Sequence, residues 1–66
     1  MKNRIKELRM SCRLSQDALA KACGVSRQTI NAIENDKYDP TLGLAFQLAF
    51  VLGVTVDTLF DPQTGS

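Results

Sequence analysis

Four hydroxyl residues and two glycines punctuate this chain so regularly that little but a set of short helices is open to it. Ser15, Ser26, Thr41 and Thr55 each stand immediately before a run with helical apolar spacing, and Gly24 and Gly53 immediately follow two of those runs. A Ser or Thr at a helix start accepts a hydrogen bond from one of the backbone N–H groups that no preceding turn can satisfy. A glycine at a helix end takes the left-handed conformation that closes it. The spacing predicts a first helix over about residues 2–12, with Ile5, Leu8 and Cys12 facing inward at i, i+3 and i+7. A second covers 16–23 with Leu19, Ala22 and Cys23 inward, and a third covers 27–35 with Ile30 and Ile33 inward. Residues 35–40 read as a loop. The fourth helix, closed by Gly53, carries the stripe Leu44, Leu48, Val51 and Leu52, completed by Phe46; a fifth spans 56–60. The expected fold class is all-α, a compact five-helix bundle over residues 1–61, with 62–66 as a short flexible tail.

The chain has 66 residues, which is one small domain with roughly 3–5 kcal/mol of stability unless something assists it. Two Cys and no His leave no structural zinc site, so no metal and no cofactor are expected. No apolar run reaches the ~18–20 residues that span a bilayer. The basic start Met1–Arg4 is followed by Glu7, Arg9 and Arg13, which break any signal-like stretch, so a cytoplasmic protein with no membrane partner is expected. Net charge is only +1, but its distribution is uneven. All eight Lys and Arg lie within residues 1–37 beside four acids, leaving +4 there, while residues 38–66 hold three Asp and no base, leaving −3. Such a split suggests one face for phosphates and another for something else.

Function concentrates in residues 15–35, SQDALAKACGVSRQTINAIEN. Two helices of about eight residues meet over a short turn holding Gly24 and Val25, and small Ala18 and Ala22 permit their close approach. A steep helix pair over a glycine-containing turn is the arrangement that puts its second helix into the DNA major groove. The outward side of that second helix carries Arg27, Gln28, Asn31 and Asn35 and no acid apart from Glu34. Arg pairs with guanine O6 and N7, and Gln or Asn with adenine N6 and N7. A merely solvated helix face would favour Glu and Lys, the better helix formers.

The runs LSQDALA (14–20), GVSRQTINAIENDKYDP (24–40) and LAFVLGVTVDTLF (48–60) resemble the Cro and phage-repressor type of helix-turn-helix regulators, the Xre family, over residues 2–61. The resemblance implies a five-helix DNA-binding domain with no catalytic residue and no cofactor. Carried over position by position, it implies that Arg27, Gln28 and Asn31 read bases, with Ala32 near a thymine methyl. Gln16, Thr29, Asn35, Lys37 and Tyr38 would hold backbone phosphates, Gln16 with help from a helix N-terminus. Arg9 and Glu34 match an ion pair that ties the first helix to the third. Asp36 and Arg13 stand where the family often has Gly, and a left-handed conformation at Asp36 would be strained but tolerable for Asp. Gly43 lies in the first turn of the fourth helix, where it costs about 1 kcal/mol relative to Ala. Cys23 falls where Leu is common, which makes it a core residue.

Two features invite other readings. Cys12 and Cys23 could form a redox switch, but each lies near a helix C-terminus, where the dipole disfavours a thiolate. Phe50 falls off the stripe of the fourth helix, where the family has a polar residue; it either packs on Phe60 or Val54 or forms a contact between copies. The reading taken is a homodimer built from Phe50, Val51, Val54 and Phe60, binding a palindromic double-stranded operator as a repressor rather than an activator. The low net charge makes binding by one copy weak and shifts it onto that dimer. The alternatives are the DNA-binding antitoxin of a toxin–antitoxin pair, or a protein-interaction module that kept the fold. No enzyme is expected: there is no His, no nucleophile–base pair and no glycine-rich phosphate loop. Nor is a small-molecule ligand expected, since 66 residues leave no separate sensing domain.

Overall fold

A computed structural model describes residues 2–60. Among these, α1 spans Ile5–Ser11, α2 Gln16–Cys23, α3 Arg27–Glu34, α4 Leu42–Leu52 and α5 Val56–Leu59. The expected tail, 62–66, lies outside the described residues. All four predicted caps form: the hydroxyls of Ser15, Ser26, Thr41 and Thr55 accept from the backbone N–H of Ala18, Thr29, Leu44 and Thr58.

The first four helices end in one way. The residue after the last turn takes a left-handed conformation, at Arg13 (φ 60°), Gly24 (φ 70°), Asp36 (φ 59°) and Gly53 (φ 73°). Its N–H bonds a carbonyl three residues back, and the following N–H reaches five residues back: Leu14 to Arg9, Val25 to Ala20, Lys37 to Ala32 and Val54 to Ala49, at 2.9–3.0 Å. This double closure satisfies carbonyls that a helix end otherwise orphans. Arg13 and Asp36 therefore adopt, with a Cβ, the conformation that Gly24 and Gly53 adopt freely.

The start of α1 is set differently. The side chain of its N-cap residue, Arg4, makes no cap; Arg4 N–H donates to the Leu59 carbonyl at 2.8 Å, and the Asn3 side chain accepts from Ile5 N–H while donating to the Ile33 carbonyl at 2.8 Å. These long-range bonds shorten α1 relative to the expected 2–12 and hold its beginning against the ends of α3 and α5.

The core is Ile5, Leu19, Ile30, Ile33, Leu48 and Leu59, fully buried, with Ala20, Cys23, Ala45, Ala49, Leu52 and Phe60 completing it. α2 packs on both α3 and α4, and α4 also meets α1 and α5. Several inward positions differ from those expected. Ala20 rather than Ala22 is buried in α2, because the packing of α2 on both α3 and α4 turns Ala22 outward. Cys12, at the closing turn of α1, is exposed. In α4 the packed side is Ala45, Leu48, Ala49 and Leu52; Leu44 and Val51 flank it, and Phe46 is 59% exposed. Small Ala45 and Ala49 let α4 approach the other helices closely, and that choice of side leaves Leu42, Phe46 and Phe50 facing outward. Burial pushes the Cys23 thiol above its ordinary pKa.

Candidate nucleic-acid interface

α3 is a short platform clamped at both ends. Ser26 caps its start, and the Asp36 turn closes its end. Ile30 and Ile33 anchor it from below, so the side chains on the opposite side project outward: Arg27, Gln28, Asn31 and Asn35 are all exposed. Ala32 is half-buried at the edge of this surface. The Asn35 amide donates to the Asn31 carbonyl at 2.9 Å and to Asn31 Oδ1 at 3.3 Å. That bond uses one of the two acceptor positions on Asn31 Oδ1 and leaves its Nδ2 donors, so the donor–acceptor pair that matches adenine N7 and N6 is retained and steadied. The hydroxyls of Thr29 and Ser26 lie 3.0 Å apart and share one hydrogen bond.

Behind this platform, one carboxylate joins three elements. Arg9 Nε donates to Glu34 Oε2 at 2.7 Å and Arg9 Nη2 to Oε1 at 3.2 Å, a two-pronged ion pair. Arg9 Nη1 donates to the Leu14 carbonyl at 2.8 Å, and Gln16 Nε2 to Glu34 Oε1 at 2.9 Å. The Glu34 side chain is 2% exposed and that of Arg9 11%. Gln16, the first residue of α2, is thus held against the end of α3 rather than extended into solvent. That bond uses one of the two hydrogens on its amide nitrogen. Glu34 and Arg9 neutralise each other, so the one acid on α3 does not oppose a phosphate. Lys37 and Tyr38, exposed beyond the Asp36 turn, extend the basic side past the end of α3.

The residues expected at a contact between copies do not behave as one group. Phe50 is 86% exposed, so it is not a core residue. Val51 and Val54 are half-buried against the core. Phe60, the residue that ends α5, is 8% exposed, so it is a core residue and not a free interface residue. Sequence reasoning also passed over Asn3, whose amide joins α1 to α3; a lone Asn near a chain start carries no signal of a partner thirty residues away.

Among the described residues, no helix is long and apolar enough to cross a membrane, and no group of His, Cys, Asp or Glu could hold a metal ion.

Two helices over a left-handed glycine turn, the second presenting Arg, Gln and Asn from a rigid base, define a helix-turn-helix DNA-binding domain. The family model for the helix-turn-helix family HTH_3 matches residues 5–59, and the chain belongs to that family. An HTH-type transcriptional regulator of Methanocaldococcus jannaschii is 53% identical over 60 residues, 91% of each chain. The immunity repressor of Bacillus phage phi105 is 34% identical over 61 residues, 92% of this chain and 42% of that one. Among solved structures, the P22 c2 repressor in complex with a synthetic operator superposes with a TM-score of 0.85 at 28% identity, covering 91% of each chain. The biofilm regulator SinR in complex with DNA gives 0.77 at 30% identity, over 83% of this chain and 89% of that one. The protein is a helix-turn-helix transcriptional regulator of the phage-repressor type, not an enzyme.

Proposed function

We propose that this chain is a repressor that binds a palindromic double-stranded operator as a homodimer, with α3 in the major groove. The observation that carries the reading is the exposed surface of α3, in which Arg27, Gln28 and Asn31 project together while Glu34 is withdrawn into its pair with Arg9. Arg27, Gln28 and Asn31 read base edges, and Ala32 supplies an apolar contact for a thymine methyl. Thr29, Asn35, Lys37 and Tyr38 hold phosphates on either side of the groove. The remaining amide hydrogen of Gln16 binds a phosphate at the α2 N-terminus, where the helix dipole favours an anion. That the P22 c2 repressor and SinR were each solved on DNA supports carrying this mode across. Two copies meeting through Phe50, with Val54 beside it and Val51 at the edge, would set their α3 helices about 34 Å apart, one turn of DNA. The protein then works in the cytoplasm, where its operator is.

Selection of bound fragments from random duplex DNA, at a low and a higher salt concentration, tests this. The expected result is an enriched palindrome whose preference at one position is relaxed by Asn31→Ala, at a cost of about 1–3 kcal/mol for the favoured base. No enriched motif and no affinity even at low salt would overturn the reading.

A further inference from the structure

Asn31 and Asn35 stand one turn apart on the exposed side of α3, and the contact between them has a direction. Asn35 Nδ2 donates to the Asn31 carbonyl at 2.9 Å and to Asn31 Oδ1 at 3.3 Å. A backbone carbonyl can only accept, so the Asn35 amide must turn its nitrogen, not its oxygen, toward Asn31. That nitrogen in turn admits only Oδ1 of Asn31, since Nδ2 in its place would set donor against donor. One backbone group thereby orders two amides in succession.

The Asn31 carbonyl also accepts from the backbone N–H of Asn35 at 3.0 Å, so it does not depend on the side chain. One hydrogen of Asn35 Nδ2 can therefore pass to a phosphate without orphaning a backbone group, while the other stays on Asn31 Oδ1. A phosphate oxygen, like the carbonyl, only accepts. The exchange calls on the same end of the Asn35 amide and leaves the order of both amides unchanged.

An ordered Asn31 discriminates between purines. Its Oδ1 keeps one acceptor position and its Nδ2 keeps its hydrogens, which matches a base edge with a donor beside an acceptor. Adenine offers N6–H next to N7, whereas guanine sets O6 against Oδ1, acceptor against acceptor. An Asn31 free to turn over would escape that clash by donating Nδ2 to guanine O6 or N7. Where DNA covers the pair and water no longer competes, the bond from Asn35 holds the amide against that turn.

We infer that Asn35 is a positioning residue for base reading: it joins a phosphate to Asn31 and fixes the Asn31 amide in the order that accepts adenine and refuses guanine. This role rests on the proposed meeting of Asn31 with a base. A phosphate contact carries no sequence information directly, and through Asn35 it acquires some.

The test uses the full chain, the duplex selected from random DNA, and a copy with G·C for A·T at the position that Asn31→Ala relaxes. Fluorescence anisotropy with both duplexes gives the preference for adenine over guanine. Asn35→Ala should lower that preference about fivefold or more, weakening the adenine duplex more than the guanine one. Asn35→Asp, of the same size but without a donor, should lower it at least as far. In an Asn31→Ala background Asn35→Ala should leave the ratio unchanged, and Lys37→Ala should weaken both duplexes alike. Asn35 is exposed, and helical circular dichroism should be the same for every variant. Equal weakening of the two duplexes by Asn35→Ala overturns the proposal, since Asn35 is then a phosphate ligand and nothing more. A change of ratio that persists in the Asn31→Ala background overturns it too, as does a preference at that position for a base other than adenine. These outcomes leave base reading by Asn31 standing; if Asn31→Ala relaxes no position, that reading falls and the role of Asn35 with it.

Discussion

Replacing Arg9 by Met keeps most of the length of the side chain and removes all of its N–H donors. The structure sets the consequence. Glu34, with its side chain 2% exposed, would lose the two hydrogen bonds and the counter-charge that Arg9 supplies, and the Leu14 carbonyl would lose its bond from Nη1. Among the described residues, Gln16 Nε2 would remain on the carboxylate. Removing one partner of a buried ion pair costs about 3–5 kcal/mol. The 11% exposure of Arg9 gives water a way to replace part of the guanidinium, which favours the low end, about 3 kcal/mol. For a domain with roughly 3–5 kcal/mol in all, that is most of its stability. At about 4–8 °C per kcal/mol for a chain of this size, Tm should fall by ~12–24 °C. Urea unfolding followed by helical circular dichroism measures it, with the midpoint lowered and the slope unchanged. The double variant Arg9→Met, Glu34→Leu should recover much of the loss, since it no longer strands a charge. A loss below about 1 kcal/mol for Arg9→Met, the value of an exposed pair, would refute the reasoning.

Glycine substitutions should separate by backbone conformation. Gly24→Ala should destabilise by about 1 kcal/mol although nothing lies within 4 Å of the added Cβ, because its φ is +70°. Gly43→Ala, equally open but in the first turn of α4, should stabilise by up to about 1 kcal/mol; the same sign for both in thermal unfolding would contradict this. The thiol of Cys23 is raised by burial, so the unfolded chain gives up that proton first as pH rises. The contribution is therefore intact below about pH 8.5 and declines above it, and Cys23→Ala should flatten the alkaline fall in unfolding free energy. Phe50→Glu should give a folded monomer with weakened operator binding; a dimer that persists by analytical ultracentrifugation removes Phe50 from the contact. Lys37→Ala should weaken all duplexes alike and lower the dependence of log affinity on log salt by about one.

Local chemistry in the sequence decided where most helices begin and end. A hydroxyl at Ser15, Ser26, Thr41 or Thr55 answers N–H groups within its own turn, and a left-handed residue at Gly24 or Gly53 closes carbonyls within five residues, so both signals act at short range. The same holds for the outward residues of α3, since a helix of eight residues anchored by Ile30 and Ile33 has only one other side. The start of α1 was not legible, because its bonds run to Ile33 and Leu59, far away in the chain. Nor was the packed side of α4: LGLAFQLAFVL is apolar nearly all round, so its periodicity does not choose a side. Close approach chose it, by burying Ala45 and Ala49 and leaving Leu42, Phe46 and Phe50 outside. Gln16 likewise reads in sequence as a phosphate ligand, and only the packing of α2 against the end of α3 joins it to Glu34. What the sequence determined alone is what neighbouring residues settle between themselves. The tertiary structure decided which apolar side chains met, because that depends on how closely whole helices can approach.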